Sequence, residues 1–489
     1  MARSRPPLPT LLLAMLLAGC AAVPHDEPAS VALDGGHLGL TDPGQAGNAG
    51  IAVPVATDWW RTMGDPQLDR IMTDALAGNP DLAQAQARIR LAEAQLAANR
   101  AGQLPQVGID ADEQRERLSE KYIIPPPYGG STVWMGSAQA NLSWSADLAG
   151  KQAAMVDQAR ASTSAAALDA AAARVSLTGA VAQAYLNLVR ADRQIAIARE
   201  FRETREESLR LVRSRIANQL ASTFDERSAQ TLLGEARQAE IRAQGDRELL
   251  VHALAALAGR GADYYPTIVA TSLALDSALP VPEAVPADLL GRRPDILAGQ
   301  ARIAAASAGR RVARADFFPN VNLKAFIGFQ AIGLDSLFTG SALTYGGGPA
   351  IHVPIFEGGA LRANYRGATA QIDTAVDAYN AQVLTAVREA ADALSAIRTA
   401  EADAAEQRNV LASLSDTVRL DATRVRTGLG SRLDAIASGE RLLQARQAQV
   451  NIDADAAVRR VQLLVALGGD FDPMGGQSAA NTVSAGARP

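Results

Sequence analysis

The chain says the same thing twice. Pro80-Asp81-Leu82 recurs as Pro294-Asp295-Ile296, Ala87-Arg88-Ile89 as Ala301-Arg302-Ile303, and Leu104-Pro105-Gln106-Val107 as Phe318-Pro319-Asn320-Val321, all at one offset of 214 residues. Further on the register drifts but the echo persists. Ser222, Asp225 and Ala236-Arg237-Gln238 answer to Ser431, Asp434 and Ala445-Arg446-Gln447, and Leu254 to Gly259 answers to Leu464 to Gly469. A period this long lies far above the roughly 20 to 50 residues of solenoid repeats, so a domain-sized module has been duplicated. Each half is expected to build one large unit, the two related by pseudo-symmetry.

Most of the chain is Ala, Leu, Arg, Gln and Glu without internal Pro, a helical composition. The stretches from Leu148 to Asn218 and from Gly359 to Thr427 predict helices on the order of 100 Å, too long for a compact globule and suited to a coiled coil or helical barrel. Their apolar positions recur at spacings of three and four: Val175, Ala182, Tyr185, Leu188 and Val189 in the first, and Val376, Tyr379, Val383, Val387, Ala390 and Leu394 in the second. Abundant Ala lets neighbouring helices approach closely. Shorter helices are expected after them, over Ser222 to Ala258 and Ser431 to Leu467, and before them, over Pro66 to Gly102 and Pro294 to Ala315.

Two segments per half alternate instead with period two. Val107, Ile109 and Ala111 oppose Gln106, Asp110 and Asp112; Trp134, Ala138, Ala140, Leu142 and Trp144 oppose Ser137, Gln139, Asn141 and Ser143. In the second half Val321, Leu323, Ala325, Ile327 and Phe329 oppose Asn322, Lys324 and Gln330, and Ile351, Val353 and Ile355 oppose His352. The intervening stretches, Asp112 to Val133 and Gln330 to Gly346, are expected as loops, with the glycines at 346 to 348 read as loop also. A soluble sheet would alternate too. Trp134 and Trp144, however, share a face ten residues apart, which on a tilted strand spans about the 25 Å apolar band between two aromatic girdles. The fold class is therefore mixed α and β, mainly α, with membrane strands.

Four strands cannot close a barrel, and open edges in lipid leave backbone groups unpaired at several kcal/mol each, so the chain must oligomerise. Two copies give eight strands with a filled interior, whereas three give twelve and begin to leave a lumen. Ser137, Gln139, Asn322, Lys324 and His352 would line it.

The N-terminus carries Arg3 and Arg5, the apolar run Leu11 to Leu17, and then Ala18-Gly19-Cys20, the layout of a cleavable signal. Leu17-Ala18-Gly19-Cys20 resembles a bacterial lipobox, which implies that Cys20 becomes an N-terminus bearing N-palmitoyl and S-diacylglycerol groups. Cys20 is the only cysteine in 489 residues, so no disulfide can form within the chain. Ala21 resembles the sorting residue of lipoproteins sent to the outer membrane. The expected division is a signal peptide at 1–19, an acylated tether at 20–56, a first repeat at 57–259, a Pro-rich linker at 260–292, a second repeat at 293–468 and a tail at 469–489. Net charge is −5 with no basic cluster, which argues against a nucleic acid partner.

The paired repeats, the lipobox, the P-D-[LI] starts, the [LF]-P-x-V strand entries, Asp147-Leu148-Ala149-Gly150 answered by Val353 to Gly359, and Gly428-x-x-Ser431-x-x-Asp434 together resemble the TolC-type outer membrane factors, in their NodT-like, OprM-like lipoprotein branch. The resemblance implies a homotrimer with a twelve-stranded outer membrane barrel continuous with a twelve-helix periplasmic α-barrel. It implies an exit duct of a tripartite efflux system, joined to a periplasmic adaptor (membrane fusion protein) and an inner membrane transporter of RND or MFS type. It also places a periplasmic gate at the helix turns, with Asp434 on the constriction and the family's second acidic position replaced by Ala437; Arg424, Arg426 and Arg432 crowd the same turn, where they could tie neighbouring helices through carboxylates, and Asp225 is the counterpart of Asp434 at the first turn. The residues alone leave a plainer role open, because Ser222-x-x-Asp225 and Ser431-x-x-Asp434 both have the form of a capping box.

Enzymatic chemistry finds no support. His25, His37, His252 and His352 have no carboxylate or cysteine at metal-ligand spacing, and HExxH, GxxxxGK[ST] and GxSxG are all absent, so no cofactor is expected. A type I protein secretion duct and a non-conducting periplasmic scaffold lipoprotein remain as rival readings.

Overall fold

The computed structural model describes residues 23–33, 58–121, 123–271, 273–275, 289–469 and 471. The signal segment, Cys20, and most of the tether and tail lie outside the described residues. The described elements are α1 (Pro66–Gly78), α2 (Pro80–Ala101), β1 (Gln106–Arg117), β2 (Thr132–Ala146), α3 (Lys151–Ala217), α4 (Thr223–Leu257), α5 (Leu289–Arg292), α6 (Pro294–Ala315), β3 (Asn320–Ile332), β4 (Leu343–His352), α7 (Ala360–Arg426) and α8 (Arg432–Ala466). The duplication is visible element by element: α2 and α6 have 22 residues each, α3 and α7 have 67, and α4 and α8 have 35.

Three expectations need correction. The helix foreseen over Pro66 to Gly102 is two helices, because Pro80 has no N–H to continue the ladder and holds Asn79 extended (ψ 124°). The strands are displaced from their expected bounds. β1 runs on to Arg117 and β4 begins at Leu343, so Gly346 to Gly348 lie inside a strand, while Val353 and Ile355 lie beyond its end at His352. Backbone pairing with β2 and β3 sustains these ends whatever their side chains are.

The third correction concerns the halves, which do not form one compact unit each. Arg88–Ala166 and Ala298–Tyr379, with described residues 23–32, form one unit; Ala167–Leu297 and the chain from Asn380, with Leu33 and residues 58–87, form the other. Each draws on both repeats: β1 and β2 pair with β3 and β4 in the first, and α3 buries its apolar stripe against α8 in the second.

The first unit holds a single antiparallel sheet in the order β1-β2-β3-β4. Phe317, Tyr365 and Ala313 form a small core beside it, with Val23, Leu361 and Ala368 packed on them. The second unit holds the larger core: Trp59, Trp60, Leu68, Ile71 and Met72 from the N-terminal segment meet Tyr185, Leu188 and Val189 of α3, Leu254 of α4 and Val461 of α8. The described part of the linker is stitched onto this core. Tyr185 and Thr271 both donate to Asp65 Oδ2, Gln67 exchanges hydrogen bonds with Val269 (2.9 and 3.0 Å), and Arg193 donates to the Leu273 carbonyl at 2.7 Å. Burial alone would raise the Asp65 pKa. The Thr271 and Tyr185 hydroxyls and the N–H groups of Gln67 and Leu68 outweigh it and hold the carboxylate below the ordinary aspartate range.

Candidate channel face and hairpin turns

The strand register decides which side chains share a face. Along one row Ile109 pairs with Ala140, Ala140 with Ile327 and Ile327 with Tyr345; along another Trp144 pairs with Leu323. From the Ala111–Ala138 row to the Trp144–Leu323 row this face is apolar, and it is exposed in the protomer: Ile109 is 80% exposed, Tyr345 75% and Ile327 57%. Trp134 and Trp144 stand at its two ends. The Arg115 guanidinium lies 5.8 Å from the Trp134 ring centre, and Trp144 Nε1 donates to the Gln103 carbonyl at 2.9 Å. Tyr345 joins them on this face, in a glycine-rich segment whose sequence predicts loop and which pairing with β3 makes strand.

The opposite face is polar. Ser137 and Gln139 of β2, Asn322 and Lys324 of β3 and His352 of β4 all fall on it by register. Asn141 donates to Asp110 at 2.7 Å, Ser137 donates to Asp112, and Ser145 donates to Asn320 at 3.2 Å, so β1, β2 and β3 are laced by side chains as well as backbone. Phe326 belongs to this face too, paired with Asn141 and with Gly346. The alternation from Asn322 through Lys324 is the sequence signal that assigns it there.

The hairpin turns joining α3 to α4 and α7 to α8 have matching backbones. Gln219 (φ 57°) and Gly428 (φ 75°) adopt the left-handed conformation, and the next N–H returns to a carbonyl five residues back, Leu220 to Arg215 and Leu429 to Arg424, both at 2.8 Å. The caps differ. Ser222 and Asp225 form a full capping box, with the Ser222 N–H donating to Asp225 Oδ2 at 2.8 Å, and this bond to the Ser222 backbone holds the Asp225 pKa down. At the second turn Ser431 accepts from the Leu433 N–H at 3.1 Å, so the expected box to Asp434 does not form. The Asp434 side chain is exposed and has no hydrogen-bond partner among the described residues. Of the arginines beside it, Arg432 reaches another helix, pairing with Glu207 of α3 (Nε to Oε1 3.1 Å), whereas Arg424 faces Asp421 at 3.9 Å and Arg426 donates to Thr423 at 3.2 Å within α7.

Away from the turns, charged side chains tie α3 to its partners. Arg202 meets Glu240 at 2.9 Å and Arg205 meets Glu440 at 2.9 Å. Burial pushes the Glu440 pKa up, and the charge of Arg205 offsets only part of that. No cluster of three or more metal-ligating side chains occurs among the described residues.

An exposed apolar sheet face backed by a polar one, with 67-residue helices following its strands in the chain, defines the protomer of a membrane channel. Residues 71–260 and 285–469 match the outer membrane efflux protein family, one match in each repeat, and the chain belongs to that family. It is 30% identical to the outer membrane protein OprJ of Pseudomonas aeruginosa over 468 residues, covering 94% of this chain and 95% of that one. It is 32% identical over 370 residues to the fusaric acid resistance protein FusA of Burkholderia cepacia, 75% of this chain and 69% of that one. The crystal structure of VceC from Vibrio cholerae superposes with a TM-score of 0.78 at 29% identity, covering 86% of this chain and 100% of VceC. The chain is an outer membrane efflux channel and not an enzyme, with a TolC-like fold that is mainly helical around a four-stranded antiparallel sheet.

Proposed function

We propose that three copies of this chain form a lipid-anchored duct through which small molecules, drugs and organic acids among them, leave the periplasm or an inner membrane transporter for the outside. The observation that carries this is the sheet. Its four strands leave β1 and β4 with open edges and present an apolar face to solvent, a combination that lipid and neighbouring protomers resolve together. Because β1 and β4 run antiparallel to each other, the same pairing rule continues from one copy to the next. Twelve strands then close with the polar face inward, and the long helices assemble into the α-barrel. Asp434, with its free carboxylate, sits on the gate ring, and three such groups converging on an axis repel one another. Arg424, Arg426, Arg432 and Asp225 flank it.

The anchor belongs to the same proposal. Residues 23–33 lie along α7: Arg366 donates to Asp26 at 3.2 Å, the Ser30 N–H donates to Asp373 at 2.9 Å, and the Leu33 N–H donates to Asn380 at 2.8 Å. Val23 packs near Leu361, in the first turn of α7, which itself begins eight residues after β4 ends. Acyl chains on Cys20, three residues before Val23, would therefore start at the strand end of α7, where lipid is expected. The division into a signal peptide at 1–19, tether, two repeats, linker and tail follows, with a periplasmic adaptor and an inner membrane transporter completing the pump.

Sedimentation of the detergent-extracted protein tests the assembly: a mass of about three chains of 51.1 kDa, less the signal, is expected. A stable monomer would rule the barrel out. Loss of palmitate labelling in Cys20→Ser tests the anchor independently.

A further inference from the structure

We propose that Phe326 and Lys324 form a subsite on the polar sheet face for a planar aromatic carboxylate in transit. The proposal rests on the reading that this face lines the barrel. Phe326 is the one phenyl, phenol or indole side chain among the described strand residues of that face, and it is 38% exposed. Its surroundings are cleared by glycine. Gly346 lies opposite, so close that a Cβ there would stand 2.9 Å from Phe326 Cε1, and Gly348, diagonal to Phe326 and opposite Lys324, has nothing within 4 Å of where its Cβ would be. A ring left uncovered in this way on a wet surface offers its π-face to a flat solute.

The charge beside it sets the solute's sign. Lys324 is exposed, lies two residues from Phe326 on the same face, roughly 6.7 Å along the strand, and has no ion pair or hydrogen bond among the described residues. The carboxylates of this face at mid-strand, Asp110 and Asp112, sit on β1, two strands away, and are engaged by Asn141 and Ser137. The ammonium on its four-carbon stem is therefore free to meet a carboxylate at the edge of a ring stacked on Phe326. Neither group alone discriminates much; together they select ring plus anion. Contacts this weak suit a duct, which must release what it receives.

The test is block of single-channel current through the trimer in planar bilayers by benzoate, with cyclohexanecarboxylate and benzamide as comparators. Wild type is expected to be blocked at lower concentration by benzoate than by either comparator. Phe326→Leu should raise the half-blocking concentration of benzoate roughly threefold to tenfold, to the level of cyclohexanecarboxylate. Lys324→Gln should raise it roughly twofold to fivefold, to the level of benzamide. Phe326→Tyr keeps the ring and should keep the block. Equal block of wild type by benzoate and cyclohexanecarboxylate, or block unchanged in Phe326→Leu, overturns the subsite while leaving the barrel intact. A trimer of the right mass that never conducts removes the lumen and the subsite together.

Discussion

The two repeats close the same joint with different chemistry. In the first, Asn79 precedes α2 and donates Nδ2 to the carbonyl of Leu257, the last residue of α4, at 3.0 Å. In the second, Arg293 stands at the equivalent place before α6 and donates to the carbonyl of Ala466, the last residue of α8, at 3.2 Å. The backbone approach is duplicated as well. A Cβ on Gly259 (φ 67°) would come 2.0 Å from the Gly78 carbonyl oxygen, and one on Gly468 (φ 101°) would come 2.3 Å from that of Arg292. Beyond this frame the joints diverge. Asn79 caps α2 through the Asp81 and Leu82 N–H groups, a neutral solution, whereas Arg293 binds Asp295 with two prongs (3.1 and 2.7 Å) and Glu389 at 2.9 Å. A duplicated backbone preserved the closure, and the side chains that make it were free to change charge.

The largest expected effect comes from breaking the charged joint. Arg293→Ala leaves two carboxylates and a carbonyl without their donor and should cost about 3 kcal/mol in denaturant unfolding of the detergent-extracted protein. Gly259→Ala and Gly468→Ala combine left-handed backbone with collision against a carbonyl, and each should cost about 2 kcal/mol, equally in the two repeats. Asn79→Ala loses a cap and a tie and should cost about 1 kcal/mol. If Asn79→Ala proved as damaging as Arg293→Ala, the distinction between the joints would collapse.

Acid sharpens the contrast. Burial alone would lift the Asp295 pKa, but Arg293 outweighs it and holds the carboxylate below the ordinary aspartate range. Its stabilisation is present above about pH 4, where an unfolded aspartate is ionised, and is lost as pH falls through the lower folded-state value. Stability curves of Arg293→Ala and wild type should converge on acidification, while the gap between Asn79→Ala and wild type stays constant. The hairpin turns supply the smallest effect. Gln219 adopts a conformation that Gly428 occupies freely, so Gln219→Gly should raise stability by up to about 1 kcal/mol, readable as a shift in denaturant midpoint.

Much of this architecture was legible in advance because it depends on periodicity. The stripe through Ala182, Tyr185 and Leu188 can only be helical, and the alternation through Trp134 to Trp144 can only be a strand, so the long helices fall within three residues of their expected ends. Periodicity fails where backbone pairing does the work. Glu113 to Arg117 carries no apolar alternation yet is strand because Thr132 to Gly136 pairs with it, and Gly346 to Gly348 is strand because β3 supplies the partners. The joint at Arg293 was hidden for another reason: its partners Glu389 and Ala466 lie 96 and 173 residues away, and no local pattern reports them. Asp434 shows the limit of motif reading, since the same S-x-x-D spacing makes a capping box at one turn and leaves a free carboxylate at the other.

Single-channel recording of the purified protein in planar bilayers, with its mass determined on the same preparation, tests the duct most directly. The account predicts a trimer passing small currents that grow when Asp434 is replaced by asparagine together with Arg426→Gln and Arg432→Gln. A trimer that stays silent in both forms would contradict it and favour a scaffold that bridges without conducting.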